Sequence, residues 1–550
     1  MADIQHAHHV RPRSTDEKHD DSGKTSLSPG DESPARLETA AVGDELGLLL
    51  NEEETLARAR AHPDDATPMF VTFALHDTDN PRNWPKWKKW YITCFASFLN
   101  VITCLCAGGY SSASSEIADA FSVSAEVATL GLSMYILGFA LGPMILAPLS
   151  EYFGRSPVYI GSWFILVIFQ IPLALAPNIG TIIVCRLIQG FGGSAPLSNT
   201  GGTVSDLWER NESGNAMMVY GASSTFGPPF ALVLSGYIVQ NKGWHWLFWI
   251  FMIITGGLWV IMVLTLPETR HSIILEKKAK RVRKTLAKEG AVSPAVVENI
   301  SDAHNKADKR SIHSLFAINL TRPIRFLFTE PITIFAAAYN GFIYGIVYLF
   351  NEAFPLVFGP GGHDFSTGEW GLVFLGLCVG TVLAAACHPL QERYYLKRVA
   401  ANGGKGVPEA RMYQARFGAF LIPISLFWFA WTSYPSIPWI VPVIASAFFG
   451  AGIYIVILGV LNYVVDSYQT YSASALAGVI LIRNLVGAGF PLFAGQMYGK
   501  LGNEWASTLL AFLSILFAPI PIWWFYRGEQ LRLKSPWARE HFGKDEDKPH

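Results

Sequence analysis

Charge is scarce in this chain. Of its 550 residues only 15% are charged and 51% are hydrophobic. Lys and Arg number 42 against 43 Asp and Glu, a net charge of −1, so the chain carries no basic footprint for nucleic acid. Cysteine is also sparse. Cys94, Cys104, Cys106, Cys185, Cys378 and Cys387 all fall inside apolar runs, which excludes a secreted disulfide scaffold and leaves them as small apolar fillers. No apolar run holds an H-E-x-x-H metal motif, a G-x-S-x-G elbow or a Walker loop, so an integral-membrane enzyme is disfavoured. His388 is read as a packing or hydrated side chain. Residues 1–30 lack the apolar core of a signal peptide, so the first apolar run must itself direct insertion.

Long apolar stretches are what the chain has in quantity. About 20 uninterrupted apolar residues in a helix cross roughly 30 Å of hydrocarbon with every backbone group satisfied internally. Twelve such runs are read: Trp90–Ser111, Val127–Leu149, Pro157–Ala176, Thr181–Val204, Ala216–Val239, Trp244–Leu266, Ile332–Phe354, Trp370–Cys387, Phe417–Trp431, Ile437–Val465, Leu476–Phe493 and Trp505–Trp524. The segments after even-numbered runs hold "EKKAKRVRK" (276–284), "ERYYLKR" (392–398) and "YRGEQLRLK" (526–534), whereas those after odd-numbered runs hold only Lys242 and Lys500. Positive charge is retained on the cytoplasmic side, so both termini are expected there. The turn 466–475 holds neither Lys nor Arg, so the sum of the loops and not each loop sets the orientation. Sequons at Asn211, Asn299 and Asn319 then face the cytoplasm and are read as unglycosylated.

Flanking segments differ in character. Residues 1–87 are too polar to order themselves and are expected to form a disordered tail. Within it His6, His8 and His9 have no companion ligands for a metal, and residues 41–60 have the apolar spacing of a short amphipathic helix. The expected plan is an all-α membrane protein with bundles at 88–266 and 329–526, a cytoplasmic linker at 267–328 and a tail at 527–550.

Only three charged side chains lie inside the runs, namely Arg186, Glu352 and Arg483. A charge at membrane depth is costly unless paired, snorkelling or facing water, so each is a functional candidate. Arg186 and Glu352 lie near run ends, where reaching the interface is the other reading. Asn340, Tyr344, Tyr348 and Glu352 recur every four residues and form one polar and aromatic stripe. A helix-packing seam would explain Gly341 and Gly345 beside it, but not two phenols and a carboxylate in line. Gln189 stands one turn from Arg186, within "RLIQGFGGSAPLSN". Gly227, Pro228 and Pro229 interrupt the fifth run, where lost backbone donors favour a hinge. In the turn between runs two and three, Gly154 permits a sharp reversal, and Glu151 and Arg155 lie four residues apart. Exposed to water they gain little from each other. Asp206, at the end of the fourth run, is the expected partner for Arg155 in a conformational latch.

These motifs resemble the major facilitator superfamily, whose signature between helices 2 and 3 has the form G-x-L-x-D-x-x-G-R. Residues 147–155 match it with Ala147 for the first Gly and Glu151 for Asp, departures that bear on helix packing there. The helix 4 signature R-x-x-Q-G-x-G matches Arg186, Gln189, Gly190 and Gly192. The antiporter signature of helix 5 is partial: Gly227 and Pro228 match, while Ala231, Leu232 and Ser223 stand where Gly is usual. "NPRNWPKWKKW" (80–90), "LPETRHSIILEKKAKRVRK" (266–284), "NEAFPLVF" (351–358) and the stretch 462–502 are similar to the fungal twelve-span drug/proton antiporter family.

That resemblance implies the major facilitator fold, with helices 1, 4, 7 and 10 lining a central cavity and two six-helix halves rocking about it. It places Arg186 and the stripe at the cavity and Arg483 outside it, in a structural role. It also implies proton-driven export of amphipathic organic molecules, with Glu352 titrating, aromatic side chains holding the substrate, and Arg186 positioning its helix or modulating that carboxylate. The expected energy source is the proton gradient with no cofactor, and the expected form is a functional monomer. Its partners are a small-molecule substrate and the lipid bilayer, without nucleic acid. Its expected site is the plasma membrane, with the vacuolar membrane second. A nutrient importer of the same fold and a non-transporting nutrient sensor are the alternatives. "PETR" stands where the sugar importers' "PESPR" would, and neither tail holds a recognisable module.

Overall fold

No water completes backbone hydrogen bonds in hydrocarbon, so the apolar runs fold as helices that close their own ladders. The structure, a computed structural model, describes residues 39–42, 45–65, 67–209, 212–290, 292–302 and 312–542. The three N-terminal histidines and the Asn211 sequon lie outside the described residues.

Twelve helical segments follow the twelve apolar runs. The first six are α1 (Lys86–Gly108), α2 (Ala125–Tyr152), α3 (Arg155–Ala174), α4 in two pieces (Ile179–Gly193 and Ala195–Leu207), α5 (Ser213–Lys242) and α6 (Trp244–Thr265). Then come α7 (Pro331–Phe358), α8 (Thr367–Ala401), α9 (Ala415–Thr432) and α10 (Ile440–Tyr468). The last helical stretch, Ser472–Lys534, breaks at Gly502, whose φ of 80° and ψ of 162° are not helical, into α11 (472–501) and α12 (503–534).

Among the described residues nine helical stretches are long and apolar enough to cross a membrane, the last of them containing both α11 and α12. Helices α4 and α5 are not among the nine, because Gly, Ser, Thr and Asn dilute them. They turn those groups inward: Gln189, Ser194, Asn199, Thr200, Thr203 and Ser235 are all buried. The basic stretches after runs 8 and 12 continue α8 and α12 as helix rather than forming loops, since Glu, Leu, Lys and Arg are good helix formers.

The chain packs as two bundles, α1–α6 and α7–α12, that meet where α2 crosses α11 and α5 crosses α8. Adding six to each helix number exchanges these two seams. The inner packing repeats in the same way. In the first bundle, a Cβ on Gly138 or Gly190 would collide with the backbone of the facing helix across the α2–α4 contact. In the second, Gly380 and Gly450 stand in the same relation across α8–α10. Close backbone approach through small residues is the main attraction available to helices already surrounded by apolar chains.

A second compact unit combines the N-terminal segment with the start of the linker. Its strands β1 (Thr39–Val42), β2 (Glu45–Leu50), β3 (Met69–Val71) and β4 (Ile300–Asp302) form one sheet in that order, with β1–β2 antiparallel and the other pairs parallel. This corrects the expectation of a disordered tail through residue 87 and of a single helix over 41–60. "ELGLLL" pairs as β2, and the helix begins only at Glu52, where Asn51 and Glu54 form a reciprocal capping box. The linker segment His271–Glu289 is a helix whose Leu275, Ala279, Val282 and Leu286 pack with Leu48, Leu50, Met69 and Val71. Lys278 of that helix pairs with Asp77 at 2.5 Å. Burial resists ionisation of Asp77, yet Lys278 and backbone hydrogen bonds together outweigh it and hold the carboxyl below its usual range. The rest of the linker, Ile312–Thr329, is a separate helix against α11.

Glycine positions supply a paired test of the seams. Gly380→Leu is expected to lower the stability of the detergent-purified protein by about 3 kcal/mol, read as a drop in thermal unfolding midpoint. Gly161, whose Cβ position is open space, is expected to accept Ala with no loss and a gain of up to about 1 kcal/mol.

Candidate functional site

Arg186 is 1% exposed, and its guanidinium is surrounded by acceptors from three helices. Its Nε donates to the Gly131 carbonyl of α2 at 3.0 Å. Nη1 donates to the Cys106 carbonyl at 2.6 Å and to Gln189 Oε1 at 3.1 Å, and Nη2 donates to the Ala107 carbonyl at 3.0 Å. Cys106 and Ala107 lie in the last turn of α1, where carbonyls lack intrahelical partners and a cation complements the helix dipole. The Tyr135 and Tyr110 rings stand 4.3 Å and 4.8 Å from the guanidinium. Arg186 therefore ties α4 to α1 and α2, and forms no ion pair with Glu352. Gln189 acts through Arg186, orienting it.

The α7 stripe is built on the α11 contact. Gly345 admits the Phe490 ring of α11, and Gly487 of α11 faces Tyr344 and Tyr348. Asn340, Tyr344 and Tyr348 are buried, and the two phenol oxygens are 3.4 Å apart. Asn340 donates back to the Ala336 carbonyl, and its Oδ1 has no partner among the described residues. Glu352 ends the stripe. The residue is part-exposed while its Oε1 is buried without a hydrogen-bond partner among the described residues, and it lies within electrostatic reach of Tyr110 of the first bundle. Arg483 of α11 also reaches this region: its guanidinium lies 4.6 Å from the Tyr344 ring centroid. The sequence marked Arg483 as a charge inside a span, but its neighbours depend on the α7–α11 packing.

A separate charge cluster closes the ends of the helices. Arg155 Nε lies 3.3 Å from Asp206 Oδ2, and Nη1 donates to Ser150 Oγ at 2.6 Å. Arg155 thus pairs with Asp206 of α4, while Glu151 stays within electrostatic reach without an ion pair to it. Gly154, at φ 103°, lets α3 start so close to Glu268 that a Cβ would strike its carboxylate. Glu268 caps α3 by accepting from the Arg155 and Ser156 backbone N–H groups at 2.9 and 3.3 Å. This residue was overlooked as a partner although it lies in the "PETR" segment. The second bundle carries an equivalent cluster, likewise missed: Arg411 meets Asp466 at 2.9 Å and Glu392 at 2.8 Å, and Arg532 meets Glu409 at 2.8 Å.

Gly227 and Pro228 lie within an unbroken α5. There they admit α1: a Cβ on Gly227 would lie 2.5 Å from Cys104 Cβ, and the Pro228 carbonyl would lie 2.9 Å from a Cβ on Gly108.

Replacing Arg186 by Lys keeps the charge but loses the planar fork whose Nε, Nη1 and Nη2 reach separate acceptors on three helices. Arg186→Lys is expected to cost roughly 3 kcal/mol in the thermal unfolding of the purified protein. Gln189→Glu, which offers the guanidinium a charged acceptor, is expected to leave the unfolding midpoint at or above that of the parent.

Comparison with known proteins agrees with this architecture. The model of the Major Facilitator Superfamily matches residues 96–491. The transporter paaT of Penicillium rubens is 38% identical over 87% of this chain and 85% of its own. The efflux pump FUBT of Fusarium oxysporum is 37% identical over 86% of this chain and 78% of its own. The multidrug transporter mdrA of Aspergillus fumigatus is 35% identical over 86% and 76%. Among solved structures, the proton:xylose symporter XylE superimposes with a TM-score of 0.55 at 15% identity, covering 81% of this chain and 96% of its own, a likeness of fold. With two pseudo-equivalent bundles of six helical segments among the described residues and the family's model matched across both, this chain belongs to the Major Facilitator Superfamily.

Proposed function

We propose that this protein is a secondary active transporter that exports amphipathic organic molecules in exchange for protons, by alternating access between its two bundles. The observation that carries the reading is Glu352. It is the one carboxylate within the apolar runs, with a buried oxygen lacking a partner among the described residues, at the end of a stripe of two buried tyrosines. A group that protonates in one conformation and ionises in another needs such a setting, since a fixed counter-ion would hold it charged throughout. The relatives' names, efflux pump and multidrug transporter, support the direction and the substrate class.

The clusters around Arg155 and Arg411 serve in this scheme as latches that fix the helix ends of each bundle in one arrangement and release in the other. The Gly227–Pro228 region serves as the place where α5 bends against α1. The basic turns face the cytoplasm, and the plasma membrane is the proposed location. The proton gradient is the energy source, without a bound cofactor, and the working unit is a monomer.

Reconstituted vesicles with imposed pH gradients of either sign test this. The expected outcome is substrate movement opposite to the proton flux, with Glu352→Gln abolishing the gradient-driven component while leaving substrate exchange at equal pH. Movement in the same direction as the protons would indicate an importer, and an unchanged Glu352→Gln rate would remove Glu352 from the coupling.

A further inference from the structure

Three charges lie within the spanning runs, and the fold treats them unequally. Arg186 is surrounded by carbonyl acceptors, and Glu352 is part-exposed. Arg483 is 2% exposed, yet its Nε and Nη2 have no hydrogen-bond partner among the described residues. A guanidinium cannot escape by losing its proton. The Tyr344 ring offsets only a part of what stranding a buried charge costs. Glu352 does not supply the missing partner, for it lies eight residues along α7 from Tyr344, about 12 Å at the helical rise.

The two orphaned nitrogens form one edge of the planar group, the edge that grips a carboxylate with two parallel hydrogen bonds. That edge belongs to a residue at the meeting of the bundles. Arg483 is within electrostatic reach of Cys104 on α1 and Tyr220 on α5, both in the opposite bundle. Its neighbour Asn484 donates to the Phe139 carbonyl of α2 at 3.1 Å. Gly487, one turn away, presents no side chain to Tyr344 and Tyr348.

We propose that Arg483 is an anion-recognition residue of the central site, and that the compounds bound there are amphipathic organic acids. The carboxylate occupies the free edge of Arg483 when the bundles part, and the apolar body lies against Tyr344 and Tyr348. This rests on the transport reading and narrows its substrate class. It also corrects the expectation that Arg483 lies outside the site in a purely structural role.

The test is ligand-induced thermal stabilisation of the purified full chain in detergent, using 1-naphthoate, the neutral isostere 1-naphthamide and 1-naphthylmethylammonium. The parent protein is expected to bind naphthoate at least roughly tenfold more tightly than naphthamide, with the ammonium weakest. Arg483→Gln is expected to erase that preference, with naphthoate binding no more tightly than naphthamide. Arg483→Lys, which keeps the charge without the two-pronged edge, is expected to lose roughly tenfold for naphthoate, and it decides the matter if the Gln variant does not fold. Equal binding of naphthoate and naphthamide by the parent, no binding of any probe, or a preference that survives in both variants overturns the proposal. No gradient is present in this assay, so a failure of proton coupling would leave its result intact, and loss of charge preference would leave coupling intact.

Discussion

Every polar group that enters hydrocarbon must find its partner within the chain, and this constraint organises the whole bundle. Arg186 shows the solution in its fullest form. A charge whose burial is costly is converted into a junction by carbonyls at the end of α1, a carbonyl of α2, a neighbouring amide and two aromatic faces. The same requirement explains Asn100, which donates to Ser223 and Ser224 of α5, and Tyr135, which donates to the Thr103 carbonyl of α1. Polar contacts of this kind join α1 to α2, α4 and α5 in the first bundle.

Other buried polar atoms stay open among the described residues, in the first bundle Asn100 Oδ1 and Gln189 Nε2 among them. Glu352 Oε1, Asn340 Oδ1 and the Arg483 edge are buried polar atoms left open at or near the meeting of the bundles. A packed protein interior does not leave such atoms unpaired without cost, because each forfeits the hydrogen bond it made with water. On α7 and α11 these three stand in the region of the proposed site.

Much of the fold was legible because a spanning helix must be long and apolar, and neither property needs a partner to be recognised. Even α4 and α5, diluted by Gly and Ser, kept enough apolar length to be read. Arg155 and Asp206 could be matched because short turns leave few places for either to go. Glu268 could not, since its bond to the α3 backbone spans 113 residues of chain and depends on where α6 ends. The small sheet unit was hidden for a different reason. In "EKKAKRVRK" the positive charge dominates the composition, while the stripe Leu275, Ala279, Val282 and Leu286 that packs under β2 and β3 emerges only from its spacing. The surroundings of Arg483 were hidden because Gly487 and Tyr344 meet only after α7 and α11 have packed.

The exchange symmetry of the two seams has a mechanical consequence. Because α2 lies on α11 as α8 lies on α5, a tilt of one bundle that parts the first pair at one rim parts the second pair at the same rim and tightens both at the other. Two rigid crossings then serve together as the rocker's pivot, so reversal of access can proceed with every helix intact and with the strain shared equally between the halves.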